Sequence, residues 1–226
     1  MVNQLLCNIS GLSTQETADG LEATFGVNHV AHQFLAELLL DRLAMHAPSR
    51  VVVVSSWHGA ALFSRAAPAI SMRSPATFSP FGAYGDSKLA NVLFAQEFGK
   101  LYRSRGVTSY SLHPGMVHTA LGVSREEGVL AALNRWGSHL FWWALAPVTK
   151  SPAQAAATLV SCSCDPALAF DSGFFYDSLV RYPLPLEDGE AQAARLWGYS
   201  QQLIAAALSQ QSLARFCDLS GPEVEF

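Results

Sequence analysis

Tyr84 and Lys88 stand four residues apart in the stretch Tyr-Gly-Asp-Ser-Lys-Leu-Ala-Asn, residues 84–91. On a helix that spacing is one turn on one face. An ammonium beside a phenol favours the phenolate, so such a tyrosine can exchange a proton with an alcohol or carbonyl oxygen near neutral pH. The chain has six tyrosines, and the pair alone is a modest signal. Its company adds weight: Ser55-Ser56 closes a β-branched run, His113-Pro114-Gly115 cuts off a second strand pattern, and Asn28 sits in an apolar helical pattern. His29 and His32 are a helical turn apart, and His113 and His118 flank the Pro-Gly pair. None has the His-Glu-x-x-His or Cys/His spacing of a zinc site, so packing or surface roles are expected for them.

The elements that must position these residues are legible as alternating periods. Asp19-Gly20 precedes a helical pattern over residues 21–43, with Asp19 as the expected N-cap. Val27, Val30, Ala31, Phe34, Leu35, Leu38 and Leu39 fall on one apolar face of it. Residues 50–56 read as a strand buried on both faces, as in a parallel sheet. Residues 59–82 show no period and form a long excursion. A second helix runs from Tyr84 to Tyr102 on Leu89, Val92, Leu93, Phe94, Phe98 and Leu101, and Gly106 ends it. A strand over 107–112 follows. The segment 116–150 carries Trp136, Phe141, Trp142 and Trp143, core or lid material by default, with a membrane-touching patch as the competing reading. Ser151-Pro152 opens a helix to Cys162, residues 173–176 form a strand, and residues 190–208 a last helix before a frayed tail. This order predicts an α/β fold with a parallel sheet. Sites on such sheets lie beyond the carboxyl ends of the strands, where Ser56 and Pro114-Gly115 converge with Tyr84.

Composition narrows the class. With 226 residues, half of them hydrophobic, the chain suits one domain over 1–208 with a tail at 209–226. A net charge of −4 without a Lys/Arg cluster argues against nucleic acid. Cys7, Cys162, Cys164 and Cys217 make no secreted disulfide framework, so a reduced, cytoplasmic setting is expected. No apolar run reaches the ~18–20 residues of a membrane span, and no basic region precedes an apolar stretch at the N-terminus.

Taken in order, Val-Asn28-His, Ser55-Ser56, Tyr84-x-x-Ser-Lys88-Leu-Ala-Asn and His113-Pro-Gly115 resemble the short-chain dehydrogenase/reductase superfamily, and within it the retinol dehydrogenase group. The resemblance implies a Rossmann-like fold and hydride exchange between NADP or NAD, NADP favoured, and an alcohol/carbonyl pair. It makes Tyr84 the general acid/base and Lys88 its partner and the ligand of the cofactor ribose. It makes Ser56 the donor to the substrate oxygen and Asn28 the holder of a relay water. Asn28, Tyr84, Lys88, Pro114, Gly115, Val117 and Thr119 become the cofactor-binding set. A lipophilic, retinoid- or steroid-like substrate is implied, as is a homo- or heterodimer through the helices carrying Asn28 and Tyr84.

One departure matters. None of the 16 glycines are two residues apart, so the Gly-rich turn that holds a dinucleotide pyrophosphate at a helix N-terminus is absent. Residues 5–11 loosely resemble the Asn-Asn-Ala-Gly strand end of the family. The expectation is an N-terminally truncated Rossmann-like chain that binds NAD(P)H weakly or not at all by itself. It is either an impaired oxidoreductase or an inactive subunit that binds a partner. An extended nucleotide-sugar epimerase shares Tyr-x-x-x-Lys, but His113-Pro-Gly and Ser-Lys-Leu-Ala-Asn favour the shorter type.

Overall fold

A computed structural model describes residues 2–3, 16–57, 80–115, 117, 149–183, 186 and 188–219, the last ten as backbone alone. Its strands are β1 (Val2–Asn3), β2 (Ser49–Val54), β3 (Val107–His113), β4 (Phe174–Asp177) and β5 (Val180–Tyr182), hydrogen-bonded in that order. β1 to β4 are mutually parallel, and β5 turns back antiparallel on β4. The parallel α/β reading from the alternating pattern is thus the architecture observed. β1 and β5 were not anticipated, being too short to carry a period.

The three central valines of β2 are buried on two faces. Val51 and Val53 pack with Ala36, Phe94 and Phe98. Val52 points the other way, against Tyr110, Leu112, Cys162 and Tyr176. Each valine so enclosed is worth about 1.5–3 kcal/mol relative to exposure, which is why an unbroken β-branched run forms here.

The first helical region is α1 (Ala23–Phe25), a π-turn (Gly26–Val30), α2 (Ala31–Leu38) and α3 (Leu40–Met45). Asp19 is not its cap. The Glu22 carboxylate accepts from the backbone N–H groups of Thr24 (2.9 Å) and Phe25 (2.7 Å), doing the work at the position where the orphan donors begin. The expected apolar face holds at Val30, which is buried, but not over most of its length. Asn28, His29, His32 and Gln33 are buried, whereas Val27, Leu35 and Leu38 are 39%, 40% and 63% exposed. The π-turn is the cause: Ala31 N–H reaches back to Gly26 O, one residue farther than an α-helix allows, and this shifts the phase of all that follows.

The long helix α4 (Pro80–Tyr102) starts a turn before Tyr84. Leu89, Val92, Leu93, Phe94 and Phe98 are buried along it as expected, while Leu101 is 42% exposed. Gly106, at φ +74°, caps the 3₁₀ turn that follows, and a Cβ there would meet that of Ala47 at 2.6 Å. α5 (Pro152–Cys164) opens with Pro152 as anticipated. Ser151 caps it reciprocally with Gln154. The last helix, α6 (Gly189–Leu219), continues past Leu208, so the residues from Ser209 begin as helix rather than as a frayed tail. Among the described residues no helix is long and apolar enough to cross a membrane.

Candidate active site

Parallel register brings the strand ends to one rim. Val54 lies opposite Leu112, and His113 opposite Asp177, so Ser56, Pro114-Gly115 and Ser178 all follow strands that stop at the same level. α4 is lashed to this rim near its start. Lys88 Nζ and Asn91 Nδ2 both donate to Val54 O, at 3.3 and 3.4 Å, and Ser55 Oγ donates to Lys88 O at 2.6 Å. Lys88 is 3% exposed, and its Nζ lies 5.5 Å from the centroid of the Tyr84 ring. The phenol and the ammonium therefore share one helix face at the carboxyl end of β2, as their spacing required. Ser56 and Tyr84 are each half-buried there.

Asn28 occupies the middle of the π-turn, fully buried. Its Nδ2 donates to Ser87 Oγ at 3.0 Å, and Ser87 Oγ donates to Tyr84 O at 2.7 Å, which ties the π-turn to the Tyr84 turn. The backbone carbonyl of Asn28 accepts from His32 Nδ1 at 2.8 Å. His32 thus bonds the backbone of the residue expected to hold a relay water. Burial lowers its pKa, the Asn28 carbonyl raises it in part, and the Lys88 charge lowers it further. The imidazole stays neutral beside the ammonium. His29, wholly buried, bonds Ser200 Oγ of α6 at 2.8 Å. Burial drives its pKa to about 3, against a partial rise from the Asn91 side chain.

Gly115 has φ +90°, and a Cβ there would fall 2.6–2.9 Å from the Lys150 side chain. Val117 forms a parallel bridge with Lys150, and Lys150 Nζ reaches Asp177 Oδ1 (3.3 Å) and Ser178 Oγ (2.8 Å). Asp177 Oδ2 also accepts from Trp57 Nε1 at 2.6 Å. Burial raises the Asp177 carboxyl, but the Trp57 and Ser178 hydrogen bonds and the Lys150 ammonium outweigh it and hold it below the usual range. Trp57 stands edge-on to Phe175 and Tyr182, so the residue after Ser56 is fastened to the β4–β5 hairpin. Thr119, the aromatic segment 136–148 and residues 5–11 lie outside the described residues.

Of the expected site residues, Asn28, Tyr84 and Lys88 are joined through Ser87 and the α4 turn, while Ser56, Pro114, Gly115 and Val117 stand along the same rim. Sequence reasoning notes Ser55 beside Ser56 and gives His32 a packing or surface role, while Ser87, Asn91, Trp57, Lys150 and Asp177 have no role assigned from sequence. Ser87 and Asn91 carried a signal, flanking Lys88 within the same motif. Lys150 and Asp177 carried none, because only the sheet brings them to Trp57.

Such an arrangement can hold a phenol near a substrate oxygen, with an ammonium beneath it and a hydroxyl at the adjoining strand end. No family model matches the chain. It is 37% identical over 223 residues to the WW domain-containing oxidoreductase of Pongo abelii, covering 92% of this chain and 50% of that protein. It is also 37% identical over 190 residues to retinol dehydrogenase 12 of Homo sapiens, covering 84% and 56%. The chain spans about half the length of the curated relatives it matches. In fold it is similar to an angucycline C-6 ketoreductase solved with NADP bound, with a TM-score of 0.50, 21% identity, and 78% of this chain and 59% of that one covered. With a parallel sheet, its motifs at one rim and identity along most of its length, the chain is homologous to the retinol dehydrogenases and the WW domain-containing oxidoreductase, and it shares the fold of a ketoreductase.

Proposed function

We propose that this chain carries the proton-handling and substrate-facing part of a nicotinamide-dependent oxidoreductase that interconverts an alcohol and a carbonyl. The observation that carries this is the Lys88 ammonium, buried against the Tyr84 ring and fixed to the end of β2. Tyr84 gives its proton to the substrate oxygen in reduction and takes it back in oxidation. Lys88 favours the phenolate form, and Ser56 donates a hydrogen bond where negative charge develops on that oxygen. Asn28 and Ser87 hold the Tyr84 turn in place. The retinol dehydrogenase relatives favour a lipophilic alcohol or aldehyde.

A nicotinamide cofactor, when bound, supplies the hydride. The residues present fit its nicotinamide-ribose half. Lys88 would donate to ribose hydroxyls, and Gly115 at positive φ presents bare backbone, with Pro114 and Val117 beside it. They do not fit the pyrophosphate half, since no Gly-x-Gly turn exists in the chain. NADP is favoured over NAD because the similar ketoreductase has it bound. Titration of NADPH fluorescence with the isolated chain is expected to show binding weaker than micromolar, and micromolar binding overturns that part. Wherever turnover of a retinoid or aliphatic aldehyde is measurable, Tyr84→Phe abolishes it with the circular dichroism spectrum unchanged. Retained turnover refutes the assignment.

A second reading rests on the outward stripe Val27, Leu35 and Leu38, which suits association with another copy or a longer relative. Light scattering of the chain alone and mixed with such a relative distinguishes them. A monomer in both conditions excludes it.

A further inference from the structure

At the opposite end of α4 from Tyr84, about 18 Å along the helix at ~1.5 Å per residue to Gln96, lies a cleft of about 540 Å³ between α4, β4–β5 and the start of α6. Two glycines build its floor. A Cβ on Gly99 would strike Ser172 Oγ, and one on Gly173 would meet the Gln96 backbone at 3.2 Å. The helix can therefore lie directly on the chain entering β4, with Gln96 and Glu97 among the residues that line the gap.

Glu97 is 6% exposed. Its Oε2 is buried without a hydrogen-bond donor among the described residues, and so is the neighbouring Gln96 Oε1. Lys100 Nζ stands 3.9 Å from Glu97 Oε2, beyond hydrogen-bond reach, and is shared with Glu190 at 4.0 Å on a side chain 57% exposed. Arg103, also at the rim, donates to Phe170 O. Burying a carboxylate oxygen without a donor is costly, and a ligand that brings N–H groups removes the cost. The walls are Phe174 and Tyr182, 39% and 38% exposed. Phe174 already carries the Arg181 guanidinium over its ring at 4.4 Å, so this wall accepts a cation on its face.

We propose that this cleft is a binding site for an organic cation, an ammonium or guanidinium on an aromatic or aliphatic body, with Glu97 as its counter-ion. The volume falls in the range of small-molecule sites. The site is independent of the Tyr84 rim and of the chemistry proposed for it.

The test is calorimetric titration of the whole chain with 2-phenylethylamine, its neutral analogue 2-phenylethanol and its acidic analogue phenylacetate. The amine is expected to bind and the other two to bind at least ~10-fold more weakly, as a charge-assisted pair demands. Glu97→Gln weakens the amine about 10-fold or more. Lys100→Ala, an exposed change that leaves the core untouched, removes the competing ammonium and tightens the amine several-fold. If Glu97→Gln does not fold, the Lys100→Ala result decides. No amine binding up to ~10 mM, equal binding of alcohol and amine, or affinity indifferent to the Lys100 change overturns the proposal.

Discussion

Replacing His29 by Gln should flatten the acid sensitivity of this protein. His29 is wholly buried between α4 and α6, and its pKa falls from 6.5 to about 3 in the folded chain, chiefly through burial. Above pH 6.5 the folded and unfolded chains both carry a neutral imidazole, so the group confers full stability there. Between pH 6.5 and about 3 the unfolded chain binds a proton that the folded chain refuses, and stability falls as pH falls. The slope is about 1.4 kcal/mol per pH unit, so at pH 5 the loss from this residue is about 2 kcal/mol, a large part of the roughly 5–15 kcal/mol of a typical domain. His32 and His113 are also lowered by burial and push in the same direction. The lowered carboxyl of Asp177 contributes stability that is lost only as pH falls through 3.8 and below, under the pH 7 to 5 range of the comparison. Urea unfolding followed by far-ultraviolet circular dichroism at pH 7, 6 and 5 isolates the contribution. Between pH 7 and 5 the native sequence should lose about 2 kcal/mol more than His29→Gln. Parallel pH profiles for the two proteins would refute the buried neutral imidazole.

Phe98→Ala, at a fully buried position between Phe94, Tyr102 and Trp197, should cost about 3–5 kcal/mol in urea unfolding; a loss under ~1 kcal/mol would mean the α4–α6 contact is not formed. Glu22→Ala should remove the cap of α1 and about 1 kcal/mol, measured the same way, with no change expected in the pH slope from His29. Gly115→Ala must adopt φ +90° and displace Lys150. It should cost about 1–3 kcal/mol, seen as a lowered melting temperature, and an unchanged melt would show that the loop relaxes freely.

The parallel sheet was readable because a strand buried on both faces must be apolar at every position, and residues 51–54 are. The Tyr84–Lys88 pair was equally readable, since a four-residue spacing on a helix has only one geometry. The α1–α2 face was misread for a definite reason. Period counting assumes 3.6 residues per turn, and the π-turn at Gly26–Val30 breaks the count, placing Asn28, His29, His32 and Gln33 inward where His29 finds Ser200 and Asn28 finds Ser87. Local grammar points to Asp19 as the cap, but the chain turns at 17–20, where Gly20 N–H donates to Thr17 O, and the helix starts at Ala23.

The order of residues by itself determined the alternation of strands and helices and which groups reach the carboxyl rim, because both follow from local period and from the rule that parallel strands end together. Only the tertiary structure decided how that rim is held. The bonds from Lys88 and Asn91 to Val54, and the meeting of Lys150, Trp57 and Asp177, join residues dozens of positions apart. Their proximity is fixed by strand register and helix packing, which no local spacing encodes.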